Sequence, residues 1–153
     1  MILTATELAA IRKQAEAEYP AECCGVVLER DAGPAERRLY PCRNIQNTLH
    51  AKDPERFPRE ARSAYYMAHE DLIEISRQEM RGWGIRVIYH SHVDAGAYFS
   101  ETDRRNALVD DQPAYPAAIY VVVAVQAGQA GEARAFRWEP AHRDFVEVPL
   151  AVD

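Results

Sequence analysis

The chain has 153 residues, 48% hydrophobic and 27% charged, with 18 Lys and Arg against 24 Asp and Glu. That length suits one domain, 1–153, with a self-sufficient core, and is too short for a (β/α)8 barrel of about 250 residues. The formal net charge of −6 and the scattered arginine pairs at 37–38 and 104–105 leave no basic footprint for nucleic acid or an anionic membrane surface.

Three cysteines, Cys23, Cys24 and Cys42, do not make a secreted disulfide framework. The N-terminal residues show no basic segment followed by an apolar run, and the longest apolar stretch, around Ile119–Val125, is far short of the roughly 18 residues of a membrane span. The expectation is a cytoplasmic protein with no membrane partner.

In chain order, residues 3–19 read as a helix. Thr4 stands as its N-cap, Glu7 completes a capping box, Leu3 and Leu8 form a staple, and Pro20 ends it. Cys23 to Leu28 reads as a buried strand, residues 31–34 as a turn, and Arg37 to Cys42 as an edge-like strand. Residues 43–57 are polar and irregular. A helix is predicted from about Arg59 to Arg81, with Tyr65, Ala68, Leu72 and Ile75 on one face and Gly82 as its stop. Ile85 to Tyr89 is a strand, Ser100 to about Val109 a short helix, and Ile119–Val125 the strongest strand. Gly128–Gly131 turns into Ala133–Trp138, and Asp144–Val148 closes the chain. The class is α/β, a mixed, largely antiparallel sheet flanked by helices.

The chemistry centres on Tyr89-His90-Ser91-His92 at the end of a predicted strand. Residues i and i+2 share a face, so His90 and His92 present two imidazoles side by side. Imidazole is a preferred zinc ligand, and a catalytic zinc takes three protein ligands plus water. Two residues could supply the third. Asp94 gives His-x-His-x-Asp, similar to the opening of the metallo-β-lactamase motif, but Ala95 stands where that motif needs histidine. His50, His69 and His142 lie in no suggestive setting. Asp103 is the better placed, because Ser100-Glu101-Thr102-Asp103 opens a helix that holds it rigidly. Each of these residues alone has an ordinary structural reading, the Ser100–Asp103 pair as a helix cap and Glu22 as a solvated strand start.

The spacing His90-x-His92, seven residues, Ser100, two residues, Asp103 resembles the JAMM motif of MPN-domain metalloproteases and isopeptidases. The upstream Glu of that family, followed three residues later by Gly, is matched by Glu22 and Gly25 in Pro20-Ala21-Glu22-Cys23-Cys24-Gly25. One departure is Val93, where many members carry Pro. The resemblance implies a single MPN (JAB)-like domain in which His90, His92 and Asp103 hold one Zn2+ per chain. Glu22 would act as general acid/base and Ser100 would stabilise the oxyanion.

Small stand-alone bacterial members are the most similar. They act on ubiquitin-like sulfur-carrier proteins, cleaving at a C-terminal Gly-Gly tail, which makes such a carrier the expected partner. Tyr98, Phe99 and Asn44 are the candidate substrate contacts. Strand edges and exposed aromatics leave room for a homodimer. The rival readings are a non-catalytic MPN-type scaffold and a different zinc hydrolase built on His90, His92 and Asp94.

Overall fold

The computed structural model describes residues 1–153. Twelve elements follow one another: α1 (Ala5–Glu18), β1 (Cys24–Arg30), β2 (Arg37–Cys42), α2 (Gln46–Lys52), α3 (His69–Met80), β3 (Trp83–Val93), α4 (Glu101–Ala107), β4 (Leu108–Val109), β5 (Gln112–Pro113), β6 (Ile119–Gln126), β7 (Gln129–Glu139) and β8 (Asp144–Val148). Six strands form one sheet in the order β2-β1-β3-β6-β7-β8, and β4 with β5 makes a separate small hairpin. Only β3 and β6 run parallel; the other neighbours in the sheet are antiparallel. The parallel pair requires a crossover, and the chain between its strands carries α4.

Both faces of the sheet are covered, which is why its central strands read as continuous apolar runs rather than alternating ones. On one face, Leu8, Ile11 and Ala15 of α1 pack against Cys23, Val27, Val87, Tyr89, Val121, Val123 and Val125. On the other, Ile75 of α3 and Ala107 of α4 cover Cys24, Val26, Leu28, Ile88, Tyr120 and Val122. The side-chain alternation along β3 puts His90 and His92 on the α3/α4 face with Ile88, and Ser91 on the α1 face with Tyr89. No helix is long and apolar enough to cross a membrane.

The helix α1 starts as its sequence dictates. Thr4 Oγ1 accepts from Glu7 N–H at 3.0 Å and Glu7 Oε2 accepts from Thr4 N–H at 2.8 Å, a complete capping box. The β2 and β8 strands fall on the expected residues.

Four expectations need correction. The stretch 43–57 is not irregular throughout, because it contains α2. The helix expected from Arg59 begins only at His69, leaving Tyr65 outside it. Between them, backbone groups bond to distant asparagines instead of to helical neighbours: Ala61 N–H donates to Asn47 Oδ1 at 2.7 Å and Tyr66 N–H to Asn44 Oδ1 at 3.1 Å. Tertiary bonds have overridden a helical pattern. Finally, the hairpin after β6 turns on two residues, Ala127 (φ 49°) and Gly128 (φ 79°), so Gly131 lies inside β7. Positive φ at both positions matches the right-handed twist of the flanking strands. Asp110 and Asp111 repeat the device in the β4–β5 hairpin, whose first strand takes Leu108 and Val109 from the end of the helix expected to reach about Val109.

Gly25 sits opposite Tyr89 in the β1–β3 register. A Cβ at this position would collide with the Tyr89 hydroxyl and lie 2.7 Å from Tyr40 O, so the position admits only hydrogen. That hydroxyl is not free to swing, because it donates to Gln14 Oε1 at 2.6 Å and ties β3 to α1. Gly25→Ala is expected to cost about 1–3 kcal/mol, the usual range for overpacking, read as a lower urea midpoint at unchanged denaturant slope.

Candidate metal centre

Three side chains converge where β3 meets the start of α4. His90 Nε2 lies 3.3 Å from His92 Nε2, and Asp103 Oδ2 lies 3.1 Å from the first and 3.0 Å from the second. All three residues are buried. Ligand atoms held about 2.0–2.1 Å from a tetrahedral zinc are separated by roughly 3.3 Å, so this triangle has the edge length such an ion needs. The residues therefore fit a metal ion. His92 fits it further: its Nδ1 lies 2.9 Å from Gly96 O, a donor contact that leaves the Nε2 lone pair facing the other two ligands. The His90 ring is stacked under Tyr65, with ring centroids 4.7 Å apart, and its buried Nδ1 makes no hydrogen bond within the chain.

Asp103 owes its orientation to local sequence. Ser100 caps α4, its Oγ accepting from Asp103 N–H at 3.0 Å, while Asp103 Oδ2 accepts from Ser100 N–H at 2.9 Å. The oxygen that completes the capping box is the same oxygen that faces both imidazoles. Burial pushes this carboxyl up, but the close approach of His90 and His92 and the hydrogen bond from Ser100 N–H outweigh it. They hold Asp103 well below the usual carboxylate range, ionised and ready to ligate.

Glu22 stands across a cavity of about 290 Å³ whose lining includes His92, Tyr98, Ser100 and Thr102. Its backbone is pinned from three directions. Glu22 N–H donates to Ala61 O at 2.7 Å, and Glu22 O accepts from Asn44 Nδ2 at 2.9 Å. Next to it, Cys23 N–H donates to Ser91 Oγ at 2.8 Å. The residue is only 4% exposed, and its Oε1 makes no hydrogen bond within the chain. Burial, reinforced by the Asp103 charge and only partly opposed by Arg59, pushes its carboxyl up to about 9. A carboxyl held neutral beside a metal-ligand triad is a group suited to proton transfer. Ser100, also on the cavity wall, keeps its O–H free as a donor.

The structure separates the other candidates. Tyr98 is half exposed and sets its ring edge against His92, with centroids 4.9 Å apart. Phe99, expected beside it as a substrate contact, instead packs among Tyr120, Phe136 and Phe145. Asn44 has no capacity left for substrate: its amide donates to Glu22 O and Ala64 O and accepts from Gln46 N–H and Tyr66 N–H. It positions Glu22. Asp94 is no ligand, since Tyr19, Arg62 and the Ala127 N–H occupy its carboxylate, which removes the alternative set His90, His92 and Asp94. Cys23, beside Glu22, is buried and its thiol is pushed up to about 12, far from a thiolate nucleophile. Two contributors escape a reading of the sequence. Ser91 points away from the metal ligands yet holds the Cys23 backbone, the residue after Glu22, at the entry to β1, and Tyr65 floors the His90 ring.

A mixed sheet flanked by helices, with a His-His-Asp group that could hold a metal ion at the join of a strand and a capped helix, defines the class. Within it, a family model described as prokaryotic homologs of the JAB domain matches residues 4–139, and the chain belongs to that family. Its His90, His92 and Asp103 match the JAMM ligand pattern. The tail tip assembly protein K of Escherichia phage N15 is 40% identical over 96 residues, covering 62% of this chain and 31% of that protein. The fold resembles two solution structures. One is a Desulfitobacterium hafniense protein (TM-score 0.67, 20% identity, 99% of this chain and 91% of that one). The other is from Salinibacter ruber (TM-score 0.63, 23% identity, 100% and 92%).

Two outcomes are expected. Asn44→Ala strips four backbone groups of their partner and costs about 2–4 kcal/mol in urea denaturation. In chelator-treated protein, the raised Glu22 carboxyl makes stability fall as pH rises from about 4.5, where the unfolded carboxyl ionises, to about 9, where the folded one does. Glu22→Gln removes that loss, so the urea midpoint of the variant gains on wild type between pH 5 and 9. An equal midpoint difference at both ends would contradict the burial assigned to Glu22.

Proposed function

We propose that this protein is a zinc-dependent peptidase or isopeptidase cleaving at the C-terminal Gly-Gly tail of a ubiquitin-like, sulfur-carrier type protein. The observation that carries the reading is one geometry: three ligand atoms 3.0–3.3 Å apart, with a buried, protonatable Glu22 and the Ser100 hydroxyl on one cavity wall.

His90 Nε2, His92 Nε2 and Asp103 Oδ2 would hold the ion. Bound there, zinc supplies Lewis acidity toward the scissile carbonyl and lowers the pKa of an attacking water. Glu22, whose ionised form the positive charge of a bound ion would favour, would take a proton from water on its carboxylate and pass one to the leaving amine. The Ser100 O–H donates to the oxyanion of the tetrahedral intermediate. Gly96 O holds the His92 tautomer throughout. No side chain is acylated. The cavity of about 290 Å³ is walled by Ser63, Ala95, Ser100 and Thr102 together with the larger Arg59, Arg62, Tyr98 and Glu101, which leaves a limited space that suits a slender segment such as a glycine tail.

The phage relative favours a second reading of the substrate, since its name is that of an assembly protein. On that likeness the same chemistry would clip a structural protein during tail assembly. A non-catalytic scaffold is the less supported alternative, because the whole ligand set and Glu22 are retained.

Elemental analysis of protein purified without chelator should find about one zinc per chain. His92→Ala and Asp103→Ala should lose the metal, while Glu22→Gln should keep it and lose about 10²–10⁴ in turnover. Turnover is followed by mass spectrometry on a ubiquitin-like protein extended beyond its Gly-Gly. Full zinc in both ligand variants would overturn the metal assignment, and full turnover in Glu22→Gln would remove Glu22 from the reaction.

A further inference from the structure

A second cavity, of about 520 Å³, opens beside the catalytic one between α4 and the segment 56–67; Arg59 and Thr102 belong to the walls of both. Resting on the peptidase reading above, we propose that this cavity binds an anionic stretch of the polypeptide substrate, its carboxylates gripped by Arg56, Arg59 and Arg105.

The charge arrangement carries the inference. Acidic residues outnumber basic ones in this chain, and many arginines pair with them: Arg37 with Glu7 and Glu29, Arg43 with Glu70, Arg62 with Asp94, Arg104 with Asp144. Arg12 and Arg38 bond instead to Gly131 O and Gln78, and the unpaired Arg81 and Arg143 do not line this cavity. Arg56, Arg59 and Arg105 take no ion pair and no side-chain hydrogen bond. They come from two separate segments, yet they line one concave surface that contains no Asp or Glu. Arg56 also lies over the Phe57 ring, 5.3 Å from its centroid, a stacking that leaves its N–H edge open. Guanidinium groups present forked donors that match carboxylate geometry two bonds at a time. Three unsatisfied forks next to a peptide-cleaving centre select a substrate with acid close to the scissile bond. The carboxylates come either from Asp or Glu side chains or from the substrate's own C-terminus.

The test is fluorescence anisotropy with the Glu22→Gln protein, which holds peptides without cutting them. The peptides contain Gly-Gly with two Glu, two Gln or two Lys placed before or after it, each with a free or amidated C-terminus. The Glu peptides should bind about tenfold tighter than the Gln peptides at low salt, with an advantage that shrinks as salt rises. Adding R56E/R105E should reverse the order so that Lys peptides bind tightest, a reversal only a folded variant can show. Arg105→Gln alone, at an exposed position of α4, should reduce the Glu advantage about threefold. If the preference follows the free C-terminus instead of Glu, the terminal carboxylate is the ligand. Equal affinities for Glu, Gln and Lys peptides at both termini, or a Glu preference unchanged in R56E/R105E, overturn the proposal. The two readings fail separately. Charge-ordered binding to a protein whose wild type cleaves nothing leaves the cavity and removes the peptidase. Cleavage by wild type with no charge order does the opposite.

Discussion

One carboxylate oxygen organises the site. Asp103 Oδ2 accepts the Ser100 N–H and faces the Nε2 atoms of His90 and His92. A buried anion is costly unless several donors or a cation surround it. This one is surrounded, and the arrangement forces a helix start, a strand end and two imidazoles to meet within about one tetrahedral edge. Shift the cap of α4 by one residue and the carboxylate no longer reaches the strand.

The sheet explains why that oxygen has anything to face. β3 is buried between α1 and the α3/α4 layer, and its side chains alternate between the two. The even-numbered residues Ile88, His90 and His92 share one face, so an apolar contact in the middle of the strand becomes a pair of ligands at its end. The odd-numbered residues serve the opposite purpose. Tyr89 locks to α1 through Gln14, and Ser91 holds the Cys23 backbone, so the segment that leads from Glu22 into β1 is registered against the strand bearing the histidines. Gly25 belongs to the same mechanism, since only hydrogen leaves room for the Tyr89 hydroxyl. Glu22 and Gly25 thus answer to one strand pair, the first through chemistry and the second through space.

Proton affinity is split across the cavity by environment alone. Asp103, ringed by donors, is held ionised; Glu22, buried with few donors, is held neutral. Two carboxyl groups pushed in opposite directions receive different tasks, one as ligand and one as proton carrier. The walls of the site are not inert either. Asn44 spends its whole amide on backbone groups to place Glu22, and the segment it organises also supplies Tyr65 beneath His90.

The features legible in the sequence are those that local periodicity or capping fixes. The period of two in His90-Ser91-His92 put both imidazoles on one face, and the spacing from Ser100 to Asp103 is itself a capping box. Strands β2 and β8 and the start of α1 were legible for the same reason, because turn and cap residues mark them within a few positions. Glu22 was legible only through its pairing with Gly25 in a family pattern, since nothing local tells a buried carboxyl from a solvated one. What the tertiary structure alone decided involves partners far apart in the chain. Asn44 and Asn47 draw residues 61–66 out of a helix that their periodicity favours, Asp94 is claimed by Tyr19, Arg62 and Ala127, and Phe99 goes to the core while Tyr98 stays at the site. Arg56 and Arg59 share a cavity wall with Arg105 only because the fold brings α4 and the 56–67 segment to either side of it. Short-range hydrogen bonds and alternation are written in adjacent residues, whereas burial and the convergence of charge are properties of the folded surface and exist only once it closes.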